Sequence, residues 1–233
     1  MNNKVVGIIG GMGPEATVDL MARVIRATPA LDDIDHIRMV VDNNPKVPSR
    51  IKALFEKTGE SPLPCLQDMA RKLERWGVNI LAIPCNTAHV YHAGVQEVVS
   101  IPVLDMIELT TQRVIAENPG LKTVGLLASS VVLELGLYEQ RFAEKGVATM
   151  GPSAEKQEAV MAAIRKIKAG ITGFEVTEAF QAAAVEMADR GAQTLIVACT
   201  ELSIINNAVQ WPNSCYDACQ VLAESIVKFT AEA

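Results

Sequence analysis

Short apolar runs rich in Val, Ile and Leu alternate along this chain with stretches whose apolar residues recur at helical spacing. Residues 4–9 read as a strand, Glu15–Arg26 as a helix, His36–Val41 as a strand and Pro64–Arg75 as an amphipathic helix. A strand over 79–84, a short helix over Ala88–Val99, a strand over Pro102–Asp105 and a helix over 106–117 follow. The alternation then repeats with a strand at Thr123–Leu127, helices at Leu135–Lys145, Ala154–Lys168 and Val176–Arg190, a strand at Thr194–Ala198 and a last helix over 218–230. Such an order predicts an α/β fold with mostly parallel sheets and crossover helices.

The second half echoes the first. Val5-Val6-Gly7-Ile8-Ile9 resembles Thr123-Val124-Gly125-Leu126-Leu127, Trp76-Gly77-Val78 resembles Arg190-Gly191-Ala192, and Val103-Leu104-Asp105-Met106 resembles Cys215-Tyr216-Asp217-Ala218. Matched blocks in one order predict two similar lobes, each a mostly parallel sheet flanked by helices, related by a pseudo-twofold axis. We place the first lobe at 1–100 plus 211–233 and the second at 101–210, with the last helix returning to the first lobe and an active site expected in the crevice between them. Two lobes of about 100 to 120 residues are each large enough for a hydrophobic core. Aromatic residues are only 4% of the 233, so the cores are expected to be aliphatic.

A net charge of −6 without a Lys/Arg cluster leaves no footprint for nucleic acid. The N-terminal segment lacks the pattern of a signal peptide, and no apolar run reaches membrane-spanning length, so a cytoplasmic protein without a membrane partner is expected. The five cysteines show neither zinc-ribbon spacing nor the density of a disulfide scaffold. Cys65, Cys215 and Cys219 read as small hydrophobes.

Cys85 and Cys199 stand apart because each ends an apolar run and is followed at once by small polar residues, Asn86-Thr87 and Thr200-Glu201. Strand ends are where an open α/β sheet presents chemistry. The asparagine and threonines can donate to a carboxylate. Two thiols with such neighbours suit removal of a proton from a carbon next to a carboxylate and its return on the opposite face, one sulfur as thiolate and the other as thiol. The turn Gly10-Gly11-Met12-Gly13-Pro14 lacks the G-x-G-x-x-G spacing of a dinucleotide site. Close backbone approach and exposed amides there would suit an anionic group, or a tight turn with no other duty. Cys85, His89, Cys199 and Glu201 lack the economical spacing of a zinc site, and no metal is expected; His89 reads as a helix or interface contact. Asp105 and Asp217, at repeated strand ends, are expected to bind helix amides or orient the lobes.

Gly10-Gly11-Met12-Gly13-Pro14-Glu15-Ala16-Thr17, Asn43-Asn44-Pro45, Pro84-Cys85-Asn86-Thr87-Ala88-His89 and Cys199-Thr200-Glu201, in this order, resemble the aspartate/glutamate racemase superfamily, and most closely its cofactor-independent aspartate racemases. The resemblance spans essentially the whole chain. It implies Cys85 and Cys199 as catalytic bases for the D- and L-enantiomer respectively, with α-carboxylate contacts from Asn86, Thr87 and Thr200. It assigns Arg50 and Lys168 to a distal carboxylate, and it adds Met12, Gly13, Ser129 and Glu201 to the substrate-binding positions. Glutamate racemases typically carry histidine where Glu201 stands, and Glu201 is usual in the aspartate-like branch. A homodimer needing neither pyridoxal phosphate nor metal is also implied. The alternatives are a glutamate or broad-specificity racemase, a cis-trans isomerase of an unsaturated diacid, and a non-catalytic two-lobed acid-binding protein.

Overall fold

A computed structural model describes residues 4–206, 210 and 213–232. Two compact units emerge, one of Met1–Leu109 with Cys219–Ala233 and the other of Thr110–Ala218.

In the first unit, β1 (Val5–Gly10) leads through the glycine-rich turn to α1 (Pro14–Ala27), and β2 (Arg38–Asn43) is followed by α2 (Leu63–Arg75) and β3 (Ile80–Ala82). A 3-10 turn, Thr87–Tyr91, precedes the short α3 (His92–Gln96), and α4 (Met106–Glu117) contains the boundary to the second unit. The strands form a parallel sheet in the order β2-β1-β3, with Val5 opposite Arg38 and Val6 opposite Ile80. Strand β1 is central and buried after its first residue, which is why its sequence is a nearly unbroken apolar run. Helix α2 lays Leu66, Met69, Ala70 and Leu73 against this sheet at the spacing of one helix face.

The second unit carries β4 (Thr123–Ala128), α5 (Ser130–Glu134), α6 (Leu137–Ala143), β5 (Ala148–Met150), α7 (Ala154–Lys168), α8 (Phe174–Asp189), β6 (Thr194–Ala198), α9 (Thr200–Ile204) and β7 (Ser214–Asp217). Its parallel sheet runs β5-β4-β6-β7. The final helix, α10 (Ala218–Ala231), joins the first unit from Cys219 onward, where Gln220 accepts from Arg23 of α1 (3.2 Å) and Lys4 donates to the Phe229 carbonyl (3.0 Å).

The expected duplication is visible in the strand order. Where the second sheet has β7, the first has a single parallel bridge from Val103 to Leu81, so Pro102–Asp105 does not extend into a strand. Because of that bridge, residues 101–109 sit with the first unit, and because β7 pairs with β6, residues 214–217 sit with the second; both assignments depart from the boundaries expected from sequence. The duplicated glycines have a packing cause. A Cβ on Gly7 would come within 2.7 Å of Leu81, and one on Gly125 within 2.5 Å of Leu195, so neither strand leaves room for a side chain there.

Helical segments also differ from expectation. The segment 88–99 splits into a 3-10 turn and α3, the segment 135–145 starts only after Gly136 takes a left-handed conformation (φ 61°), and a π-helical turn occupies Lys52–Glu56. Gly136 separates α5 from α6 because a residue with positive φ ends a right-handed helix.

Gly11 is the tightest point of the first unit. Its φ is 92°, and a Cβ would lie 2.2 Å from the Asn44 carbonyl, whereas Gly120, with φ 82°, has open space around the same position. Gly120→Ala is therefore expected to cost about 1 kcal/mol and Gly11→Ala about 3 kcal/mol or more in chemical denaturation. Equal losses would show that the Asn44 contact is immaterial.

Candidate active site

Both cysteines lie just beyond the carboxyl-terminal end of a strand, β3 beside β1 in one sheet and β6 beside β4 in the other. Cys85 follows β3 by way of Ile83 and Pro84, and Cys199 directly follows β6. Each is 7% exposed and packs into the aliphatic core of its own unit.

In the first unit, the Cys85 carbonyl accepts from the Ala88 amide (3.2 Å) and lies 2.9 Å from His89 Nδ1. His89 Nε2 accepts from the Met106 amide (3.0 Å), which leaves the ring proton on Nδ1, donated to Cys85. Both ring nitrogens are thus engaged, and burial holds the His89 pKa below its ordinary value, so the ring is a neutral bracket for the cysteine loop and has no lone pair left for a metal. It stacks on His92 at 6.0 Å, and His92 Nε2 donates to the Val103 carbonyl (2.8 Å). Asp105 accepts from the Ile107 and Glu108 amides (3.0 and 3.1 Å), the helix amides it was expected to bind, although no strand precedes it.

The turn after β1 stands beside this loop because β1 pairs with β3. The Gly11 amide donates to Thr17 Oγ1 (2.9 Å), whose hydroxyl donates to the Gly13 carbonyl (3.0 Å), so a side chain of α1 closes the turn from within. Met12 is buried, and its carbonyl accepts from Arg50 Nη2 (3.4 Å); Arg50 Nη1 donates to the carbonyls of Pro48 (2.9 Å) and Val47 (3.3 Å). Arg50 is half-buried, and its hydrogen bonds all go to backbone carbonyls, with no carboxylate within ion-pair distance among the described residues. Asn86 is buried and Thr87 half-buried on the turn that leaves Cys85.

In the second unit, the Cys199 thiol donates to Glu201 Oε2 (3.2 Å), and Glu201 Oε1 pairs with Lys168 Nζ (3.3 Å). Burial first, and the Glu201 carboxylate second, push the Cys199 pKa well above that of a free thiol, and Lys168 opposes the shift. Lys168, expected to grip a distal carboxylate of the substrate, is here the counter-ion of Glu201. Behind the loop, the Ser203 amide donates to the Cys199 carbonyl (3.1 Å) and the Ser203 hydroxyl to Asp217 Oδ1 (2.7 Å). Asp217 Oδ2 accepts from Asn206 (3.3 Å), so this aspartate holds α9 by side chains. Thr200 and Ser129 are buried at the same edge of the sheet. Sequence reasoning missed Ser203, a serine on a short helix with no motif to mark it, and Gln157, whose amide donates to the Ala128 carbonyl (3.0 Å).

Among the described residues no group of three or more His, Cys, Asp or Glu side chains is arranged to hold a metal ion. None of the five cysteines is joined in a disulfide bond. A cavity of about 330 Å³ in the first unit lies at the opposite end of β1, lined in part by Lys4, Thr28, His36 and Thr230, and none of the residues above takes part in it.

Residues 9–226 match the family described as Asp/Glu/Hydantoin racemase, and the chain belongs to that family and with it to the amino-acid racemases among the isomerases. Over 226 residues it is 29% identical to the broad-specificity amino-acid racemase RacX of Bacillus subtilis (strain 168), a match covering 95% of this chain and 96% of that protein. The aspartate racemase of Picrophilus torridus superposes with a TM-score of 0.86 at 30% identity, covering 98% of this chain and 95% of the other. The glutamate racemase RacE1 of Bacillus anthracis shares the fold, with a TM-score of 0.69 at 18% identity over 99% of this chain and 83% of the other. The family and fold expected from the motifs are thereby borne out.

Two measurements probe the electrostatics. Glu201→Gln should lower the pH at which Cys199 is alkylated by iodoacetamide, and Lys168→Met should raise it, read by mass spectrometry of the Cys199 peptide; shifts in the same direction would break the proposed chain of charge. His89, kept neutral by burial, stabilises the fold fully above its unfolded pKa near 6.5, and that contribution is lost as pH falls toward the depressed folded value. His89→Gln is therefore expected to flatten the loss of stability on acidification below about pH 6.5.

Proposed function

We propose that the protein is a cofactor-independent racemase acting on aspartate by two-base proton transfer at the α-carbon, with Cys85 and Cys199 serving opposite faces of the substrate. The observation that carries this reading is the pair of thiols at equivalent ends of two sheets with the same strand order, one of them held as an acid by burial and Glu201. Cys85, as thiolate, removes the α-proton and becomes a thiol, while Cys199 gives its proton to the other face and becomes a thiolate. The products of that step are the starting protonation states of the reverse reaction. A resting Cys199 thiol matches turnover of the enantiomer on which Cys85 acts, the D form by family resemblance.

Donors to the α-carboxylate come, in this reading, from Asn86, Thr87 and Thr200, with Met12 and Gly13 presenting the turn beside them. The choice of an acidic side chain rests on Arg50. Backbone carbonyls orient its guanidinium without neutralising its charge, which leaves a planar cation ready for a second carboxylate. Lys168 contributes through Glu201 in the resting state, and its half-exposed ammonium is within reach of solvent and ligand alike. The broad-specificity relative makes relaxed side-chain selection the second reading, and the hand of each thiol follows the family resemblance alone. The reading includes a cytoplasmic homodimer working without pyridoxal phosphate or metal. No helix among the described residues is long and apolar enough to cross a membrane.

The test is L-aspartate or D-aspartate in D₂O with no added cofactor, following α-proton exchange and inversion by NMR and chiral chromatography. Wild type should do both, and Cys85→Ala and Cys199→Ala should each lose racemisation by at least a thousandfold. Arg50→Ala should raise KM for aspartate about tenfold or more while leaving the melting temperature within a few degrees. Exchange with alanine but not aspartate would move the protein to the broad-specificity reading, and no exchange with any amino acid would sink both.

A further inference from the structure

Two buried oxygens near the end of β4, Ser129 Oγ and Gln157 Oε1, have no hydrogen-bond partner in the protein. Ala128 of β4 is in register with Ala198 of β6, so Ser129 and Cys199 come next on neighbouring parallel strands. Both keep extended backbone, with φ −66° and ψ 151° at Ser129 and φ −146° and ψ 120° at Cys199. Strand alternation therefore turns both side chains toward the sheet face that bears Leu127 and Val197. Ser129 is 7% exposed, and its Oγ is buried with no hydrogen-bond partner in the protein.

Gln157, on α7, sits over the same turn. Its Nε2 donates to the Ala128 carbonyl (3.0 Å) and to Ser130 Oγ (3.1 Å), the residues on either side of Ser129. A carbonyl only accepts, so the amide cannot be turned round, and Oε1 is fixed as the outward acceptor. That oxygen too is buried and receives no donor from the protein. Buried acceptors without donors are costly to maintain, and they persist where a ligand supplies the hydrogens. A carboxylate would meet the Gln157 oxygen with oxygen of its own; an ammonium group brings three N–H donors.

We propose that Ser129 Oγ and Gln157 Oε1 form the subsite for the substrate's α-ammonium group beside Cys199. The proposal rests on the amino-acid racemase reading, since it takes the ligand to carry an amino group. Neutral acceptors suit the reaction. They hold the ammonium without offsetting its positive charge, which then helps stabilise the negative charge developing on the adjacent α-carbon. Glu201, the carboxylate at this edge, is engaged with Cys199 and Lys168.

The experiment compares matched ligands that differ only in the amino group: aspartate with succinate, glutamate with glutarate, alanine with propionate. Affinities are measured by calorimetry for wild type, Ser129→Ala and Gln157→Met. Each variant should lose about tenfold in affinity for the amino acid and stay within about twofold for its deamino partner. Parallel weakening of both members of a pair would mean that these residues only shape the turn, and unchanged affinities would remove them from the site; either result overturns the subsite. Ser129→Ala deletes no hydrogen bond within the protein and carries the test alone should Gln157→Met fail to fold. If wild type ignores aspartate but another pair shows the discrimination, the aspartate reading falls and the subsite stands. If wild type binds no amino acid of the panel, both fall.

Discussion

A parallel strand that stops leaves its last carbonyls without ladder partners, and the position of each candidate thiol depends on how that end is finished after β3 and β6. At both ends a residue four positions beyond the cysteine reaches back to the cysteine carbonyl: His89 with its ring, Ser203 with its amide. Each anchor is itself anchored, His89 by the Met106 amide next to Asp105, Ser203 by the carboxylate of Asp217. A thiol on a free loop would sample many positions; a proton transfer needs the sulfur held to a fraction of an ångström. The bracket on the carbonyl fixes the backbone from which each sulfur projects.

Charge is placed differently in the two units. Around Cys199, the Glu201 carboxylate accepts the S–H and Lys168 balances it from the far oxygen. Burial would by itself keep this thiol protonated; Glu201 adds direction by aiming the hydrogen. In the proposed reaction, delivery of that proton to a carbanion requires the S–H to turn from Glu201 to the substrate, in competition with a carboxylate paired with Lys168. In the first unit the arrangement is inverted, with a guanidinium whose partners are carbonyl dipoles. Such a cation keeps nearly its full charge for an incoming anion.

The sequence announced the parts of this site that have a repeated signature. The apolar run followed by Cys and a small polar residue occurs twice, and in both copies it lands at a strand end. Elements without such a pattern stayed hidden. Strand β5 is three residues long between Gly146 and Gly151 with no apolar run to mark it, whereas β7, Ser-Cys-Tyr-Asp, was legible only as the echo of Val103-Leu104-Asp105. The stretch Ser130-Val131-Val132-Leu133 has strand-like residues but forms α5, because Ser129 opens a turn and Gly136 closes it. Gln157 was invisible for a different reason. A glutamine on the polar side of an amphipathic helix looks solvated until the fold sets it over the Ala128 carbonyl. Lys168 was legible as a cation and not as a partner of Glu201, since the two come from separate elements.

Duplication alone would give two thiols of equal character, and a two-base racemase needs them to differ at any instant. The asymmetry enters two residues after each cysteine, where the first copy has Thr87 and the second Glu201. The loops themselves differ, a 3-10 turn following Cys85 and α9 following Cys199, and only the second carries a carboxylate at that position, 3.2 Å from its sulfur. Lys168 opposes the effect of Glu201 on the Cys199 thiol, whose thiolate the proposed reaction needs when it runs the other way. In the proposed reaction the same hydrogen-bonded sulfur serves as acid in one direction and, once deprotonated by turnover, as base in the other.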